Sequence, residues 1–148
     1  MKARKIDLSE ASGVDDAMRR IAIVRFAEVL TLAPALRKEP GAALHDLRIA
    51  CKRLRHALSR FSAREPALRE AAIRLAQLQD TLGEWHDCEL LLEALPPELY
   101  DSRARIVVKG RDARARARAL WHDAFATYGP FADLVHFTGL GYGLGEAD

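Results

Sequence analysis

Residues 44–61 read LHDLRIACKRLRHALSRF, and their spacing decides the fold. At about 100° per residue, Leu47, Ala50, Cys51, Leu54, Leu58 and Phe61 share one side of a helix. His45, Arg48, Lys52 and Arg55 fall together on the other side, at steps of three and four. Arg53, His56 and Arg60 flank that row. The apolar side drives folding. The polar side gathers positive charge into a strip about 15 Å long, which suits an extended polyanion better than one small anion.

The rest of the chain also reads as helix. Residues 1–13 are polar, end in Ser12-Gly13 and read as a loose lead-in. A first helix is expected from about Val14 to Leu36. Asp15 and Asp16 sit at the positive end of its dipole, and Met18, Ile21, Ala22, Phe26, Val29 and Ala33 form its inner side. Arg25 falls close to that apolar sector, where it needs an acidic partner or a wet cavity, or snorkels at the edge. Pro34 kinks the end of this helix, and Pro40-Gly41 breaks the chain before the helix of residues 44–61. Pro66 suits the first turn of a third helix over about 66–94. Gly83 inside it serves either close approach of a neighbouring backbone or no packing purpose. Asp80, Glu84 and Asp87 line one flank, placed to pair with arginines of the second helix or simply solvated.

Pro96-Pro97 is a firm break before a fourth helix over about 98–128, which Gly129-Pro130 ends. Its apolar edge is narrow: Ile106, Ala113, Ala117, Leu120, Trp121 and Ala124. Arg105, Lys109 and Arg116 share one flank, and Arg111, Arg114 and Arg118 the other. Alanines between the arginines let a neighbouring helix come close. The tail, FADLVHFTGLGYGLGEAD, should dock Phe131, Leu134 and Phe137 and end loosely. Its glycines precede no helix, so they do not read as a phosphate loop. Four long helical patterns with short links give an all-α fold, an antiparallel four-helix bundle, with no convincing strand alternation.

Composition sets the charge argument. The chain has 148 residues, 49% hydrophobic and 30% charged, with a formal net charge of only +2. One domain of this length buries a proper core. Residues 41–61 nevertheless carry five Lys/Arg against one acid, and residues 103–118 carry seven against one. Such segregation makes a directional field that steers anions, although an Arg-rich helix is as often a solvated face. Two cysteines, Cys51 and Cys88, make no disulfide framework, and Cys51 lies on an apolar side. MKARKIDLSE lacks the apolar segment of a secretory signal, and no run approaches the roughly 18 apolar residues of a membrane span. The expected setting is cytoplasmic.

The run HDLRIACKRLRHAL at 45–58, followed by LQDTLGEWHD at 78–87, resembles the CHAD family, the conserved-histidine α-helical domains. Family members carry an H-x-L-R-x-x-x-K/R-R-L-R helix and then an L-Q-x-x-L-G-x-x-x-D helix. The resemblance covers roughly residues 15–128. It implies an all-helical domain that binds inorganic polyphosphate through basic residues and performs no catalysis. It also implies a departure: a full family domain has two such halves, and this chain holds one. The domain is then residues 14–128, with 1–13 as lead-in and 129–148 as a partly docked tail. A homodimer would replace the missing half, with two His45 helices lining a shared groove. A separate partner chain would also serve. The resemblance extends the setting to polyphosphate granules.

Polyphosphate is a flexible chain with about one charge per unit and no bases. Binding it needs many donors along a line and no stacking platform. Arginine offers a planar fork with two charge-assisted hydrogen bonds to phosphate oxygens. The candidate contacts are His45, Arg48, Lys52, Arg53, Arg55 and His56 on the second helix, Arg25 on the first, and Arg105, Lys109 and Arg116 on the fourth. Aromatic residues make up 7% of the chain, and few fall on the basic faces, which disfavours nucleic acid. His45 either donates to phosphate, ligates a metal or is a structural helix-start residue. No tight H-x3-H spacing supports a metal, and no cofactor is implied. An alternative from another class is a histidine phosphotransfer protein that uses His45 as phosphoacceptor. Such proteins place glycine where this chain has Ile49. A structural helical adaptor is the third reading and predicts no polyanion affinity.

Overall fold

Residues 1–37 and 41–141 are described in a computed structural model. Among them the chain forms α1 (Val14–Leu32), α2 (Gly41–Phe61), α3 (Arg69–Ala94), α4 (Tyr100–Ala124) and α5 (Ala132–Thr138), with no strand. Short 3-10 turns at Ala33–Leu36 and Pro66–Leu68 precede α2 and α3. The expectations for Pro40 and for the end of the glycine-rich tail lie outside the described residues. No helix among them is long and apolar enough to cross a membrane.

Helix boundaries follow local chemistry. The Ser12 backbone N–H donates to the Asp16 carboxylate (3.0 Å), as does Arg20 (2.9 Å). Those donors, the Ser12 amide first, hold the Asp16 carboxyl below its usual range. Expected to reach Leu36, α1 instead ends at Leu32, and Ala33–Leu36 tighten into a 3-10 turn. Pro34 has no N–H for an i−4 carbonyl and its ring crowds that position. Pro66 opens its own 3-10 turn, and α3 begins three residues later. The end of α3 is closed from α4: the Arg103 guanidinium donates to the Leu92 and Leu95 carbonyls at 2.7 and 2.9 Å. These are carbonyls that a helix C-terminus leaves without internal donors.

The core takes Leu44, Leu47, Leu54 and Leu58 from α2, with Leu75, Leu78 and Leu82 from α3. From α1 come Phe26 and Val29. The fourth helix contributes only small residues along most of its length, Gly110, Ala113 and Ala117, before Trp121 and Ala124. A side chain at Gly110 would come within 3.2 Å of Cys88 Cβ, so α3 and α4 pack closely there. The tail does more than dock. Phe131 and Leu134 are fully buried, and α5 is a helix where the sequence pattern predicts only a short apolar piece. Phe131 stands edge-on to Phe26, Trp121 and Phe125, with ring centroids 5.9, 5.9 and 5.3 Å apart. That cluster ties α1, the end of α4 and the start of α5 together.

Residues 1–13 carry no regular helix or strand but cross α1 and α2. The Arg4 N–H donates to Glu28 (2.7 Å), and Arg53 donates to the Met1 carbonyl (3.2 Å). Glu28 is fully buried and paired with Arg25 at 2.9 Å, so of the expected environments Arg25 has the acidic partner, one turn further along its own helix.

Candidate polyanion groove between α2 and α3

Two walls make the site. Gly41, at the start of α2, lies 3.2 Å from the Trp85 ring if a Cβ is built on it, which places the N-terminal turn of α2 by the second half of α3. At the other end Arg55 and Ser59 of α2, with Ser62 just beyond it, share a cleft with Arg69, Ala72, Ile73 and Ala76 of α3. The polar row His45, Arg48, Arg55 therefore runs along the seam with α3. From α3 the seam receives His86, whose ring centroid is 5.1 Å from that of His45. Gln79 stands two turns before His86 on the same side of α3.

The row has unmet hydrogen-bonding capacity. His45 Nδ1, Arg48 Nε and Arg55 Nε are buried without a hydrogen-bond partner, and so is Gln79 Oε1. A buried polar atom without a partner costs about 1–3 kcal/mol, and here four of them adjoin one seam. Among the described residues Arg48, Lys52 and Arg55 have no carboxylate within 4.0 Å. Lys52 is exposed and extends the charge toward solvent. Arg55 donates to His56 Nε2 at 3.1 Å, so His56 helps to orient the guanidinium.

The remaining expected site residues stand elsewhere. Arg53 is on the α1 side of α2, hydrogen-bonded to Met1. The Arg25 guanidinium is engaged by Glu28 and by the Arg4 carbonyl (3.3 Å). Arg116 donates to Glu84 at 2.5 Å across α3 and α4. Arg105 and Lys109 are exposed on α4. The structure thus gathers His45, Arg48, Lys52, Arg55 and His56 and does not bring Arg25 or Arg116 to them.

Among the described residues no ion pair joins Asp80, Glu84 or Asp87 to an arginine of α2. Glu84 pairs with α4, and Asp80 lines a cleft with Arg116, Leu120 and Asp123 of that helix. The three acids lie about a quarter turn or more around α3 from Gln79 and His86. His86, Gln79 and Arg69 are not among the expected site residues. The α3 periodicity puts Gln79 and His86, seven residues apart, on one stripe.

The family model of the CHAD domain matches residues 7–96. That span includes α1, α2 and α3 with both walls of the groove, and stops before α4. The family is associated with polyphosphate binding and is generally a binding domain rather than a catalytic one. No curated protein and no solved structure matches the chain. With the matched segment covering more than half of its length and containing both signature helices, the chain belongs to the CHAD domain family.

Proposed function

We propose that the α2–α3 groove binds inorganic polyphosphate, without catalysis, as a chain laid along His45, Arg48, Lys52 and Arg55. One observation carries the reading: the Nε atoms of Arg48 and Arg55 and Nδ1 of His45 are buried without partners on a single row. An anion with oxygens repeated along a line supplies acceptors to that row once the side chains turn to present those atoms. Several arginines elsewhere have acceptors already: Arg25 has Glu28, Arg74 has the Leu120 carbonyl at 2.8 Å, and Arg103 has the end of α3. Arg105 and Lys109 extend the positive field from α4 without touching the groove, and Arg53 and His56 flank it. Exposed aromatics on which bases could stack are absent from the named groove residues, which favours phosphate over nucleic acid.

The test is a titration of polyphosphate, single-stranded DNA and ATP at two salt concentrations. Polyphosphate should bind most tightly, with affinity falling steeply as salt rises. In the variant Arg48→Ala/Lys52→Ala/Arg55→Ala, binding should be abolished or very weak while the helical circular dichroism stays unchanged. Any residual binding should show a log–log salt slope shallower by about 2. Unchanged affinity would move the site to α4. Phosphoryl transfer to His45 from a small phosphodonor would replace the reading with phosphotransfer.

We also propose that the chain acts as a homodimer. Leu90, Leu91, Leu99, Tyr100, Val107 and Val108 are exposed around the α3–α4 connection. Acids Glu98 and Asp101 and bases Arg105 and Lys109 flank them, a self-complementary pattern for a two-fold contact. A monomer by light scattering at micromolar concentration sinks this.

A further inference from the structure

The groove has two unlike ends. Gly41 lies by Trp85, and Ser59 shares a cleft with Arg69 and Ile73, so α2 and α3 run in opposite directions. The connection of residues 62–68 therefore joins the helices at the Ser59 end of their seam. At the His45 end, α3 continues past Trp85 to Ala94 while α2 begins at Gly41, so no α2–α3 connection crosses the seam there.

The connection offers little to an anion that runs across it. The Ser62 N–H donates to the Leu58 carbonyl, and the Arg64 and Glu65 N–H groups to that of Phe61. The Arg64 guanidinium is paired with Asp15 at 3.1 Å. Glu65 in the connection and Glu70 on the first turn of α3 form no ion pair among the described residues. Their carboxylates repel a polyanion.

Just short of the connection the donors concentrate. A cleft of about 250 Å³ is lined by Arg55, Ser59, Ser62 and Arg69, with Ile73 and two alanines of α3 as its apolar wall. Arg55, whose Nε is buried without a partner, belongs to both the row and the cleft. Arg69 and the Ser59 hydroxyl form no hydrogen bond or ion pair among the described residues. Ser62 Oγ donates to the Ser59 carbonyl at 2.9 Å, so the free hydroxyl is that of Ser59. Two guanidinium groups and a hydroxyl thus line one cleft, where the row before it presents a single cation at each turn. An internal phosphate unit has two non-bridging oxygens and one negative charge. A terminal unit has three such oxygens and up to two charges, and calls for more donors on one phosphorus.

Resting on the polyphosphate reading above, we propose that the groove captures the end of the polyphosphate chain, with the terminal phosphate in the cleft of Arg55, Ser59 and Arg69. From there the chain runs back along Lys52 and Arg48 to His45, held over about 21 Å of helix. The connection and its carboxylates stop it in the other direction. Arg69 and Ser59 become ligand-contacting residues, and binding follows the number of chain ends rather than chain length.

The experiment titrates the full protein with linear polyphosphates of several defined lengths, all longer than the groove. Sedimentation with protein in excess reads the copies bound per chain. One occupied groove per chain end is expected at every length. Molar affinity should stay level as chains lengthen, because ends are fixed in number while internal placements multiply. Converting both terminal phosphates to phosphoramidates should lower affinity about tenfold or more, as for a lost hydrogen bond at a charged group. Ser59 and Arg69 are exposed, so Ser59→Ala/Arg69→Ala should keep the helical circular dichroism. That variant should bind free and blocked chains alike, with loading that grows with length. Copies bound in proportion to length by the unaltered protein, or equal affinity for free and blocked chains, overturns end capture and leaves polyphosphate binding standing. No binding of any chain overturns both. If the double variant fails to fold, the comparison of free with blocked chains on the unaltered protein decides the matter alone.

Discussion

Arg25 shows how one residue's chemistry divides between stability and binding. Its sequence position beside an apolar sector left an acidic partner, a wet cavity or snorkelling at the edge open, and the structure supplies the acidic partner, Glu28, fully buried and 2.9 Å away. Removing the guanidinium leaves a buried carboxylate with only the Arg4 N–H. Arg25→Ala should therefore lower stability by about 3 kcal/mol in a denaturant titration. Replacing both partners with apolar residues, Arg25→Met with Glu28→Leu, should restore most of that loss. A loss of polyphosphate affinity with unchanged stability would instead place Arg25 in the ligand site. Cys51 was legible from its place on the apolar side of α2. It is fully buried, and burial pushes its thiol up to about 12, so it packs as a small hydrophobe.

Elements were the most legible scale. The apolar and cationic sides of α2 were both readable because 3.6-residue periodicity is local and strong there. Boundaries shifted at Pro34 and Pro66, where proline chemistry intervened. They also shifted at Gly41, which begins α2 rather than breaking the chain, and at the end of α4, which stops at Ala124 instead of about 128. Gly83 had two readings, and the structure separates them. A Cβ there meets nothing within 4 Å, so no neighbouring backbone needs the space. Its backbone is helical, with no positive φ. Gly83→Ala should therefore raise stability by about 0.5–1 kcal/mol, measured as a higher unfolding midpoint. A lower midpoint would mean the position requires glycine after all. The α5 segment was read only as an apolar piece, because seven residues are too few for a periodic signal to separate helix from loop.

At the scale of the whole molecule, α4 depends on contacts that no local pattern displays. Its inner side is glycine and alanine for most of its length, so large apolar groups anchor it only near its end. There Trp121 and Phe125 meet Phe131 and Phe26. Phe131→Ala should cost about 3–5 kcal/mol in equilibrium denaturation and weaken the hold of α1, α4 and α5 on one another. A cost under about 1 kcal/mol would show that the site collapses onto the cavity without loss. By itself the sequence determined the helical class, the family and the cationic row of α2, because each is written in spacing along one strand of chain. Which cations have free hydrogen-bonding capacity was decided only by tertiary structure. Arg25, Arg103, Arg114 and Arg116 find acceptors on their neighbours, while Arg48 and Arg55 keep buried Nε atoms without partners. The neighbour of His45 also came from packing: α3 sets His86 beside His45, while Glu84 pairs with Arg116 of α4 and Asp80 lines a cleft with that helix. Residues far apart in sequence meet only where helices pack, and packing depends on every buried side chain at once.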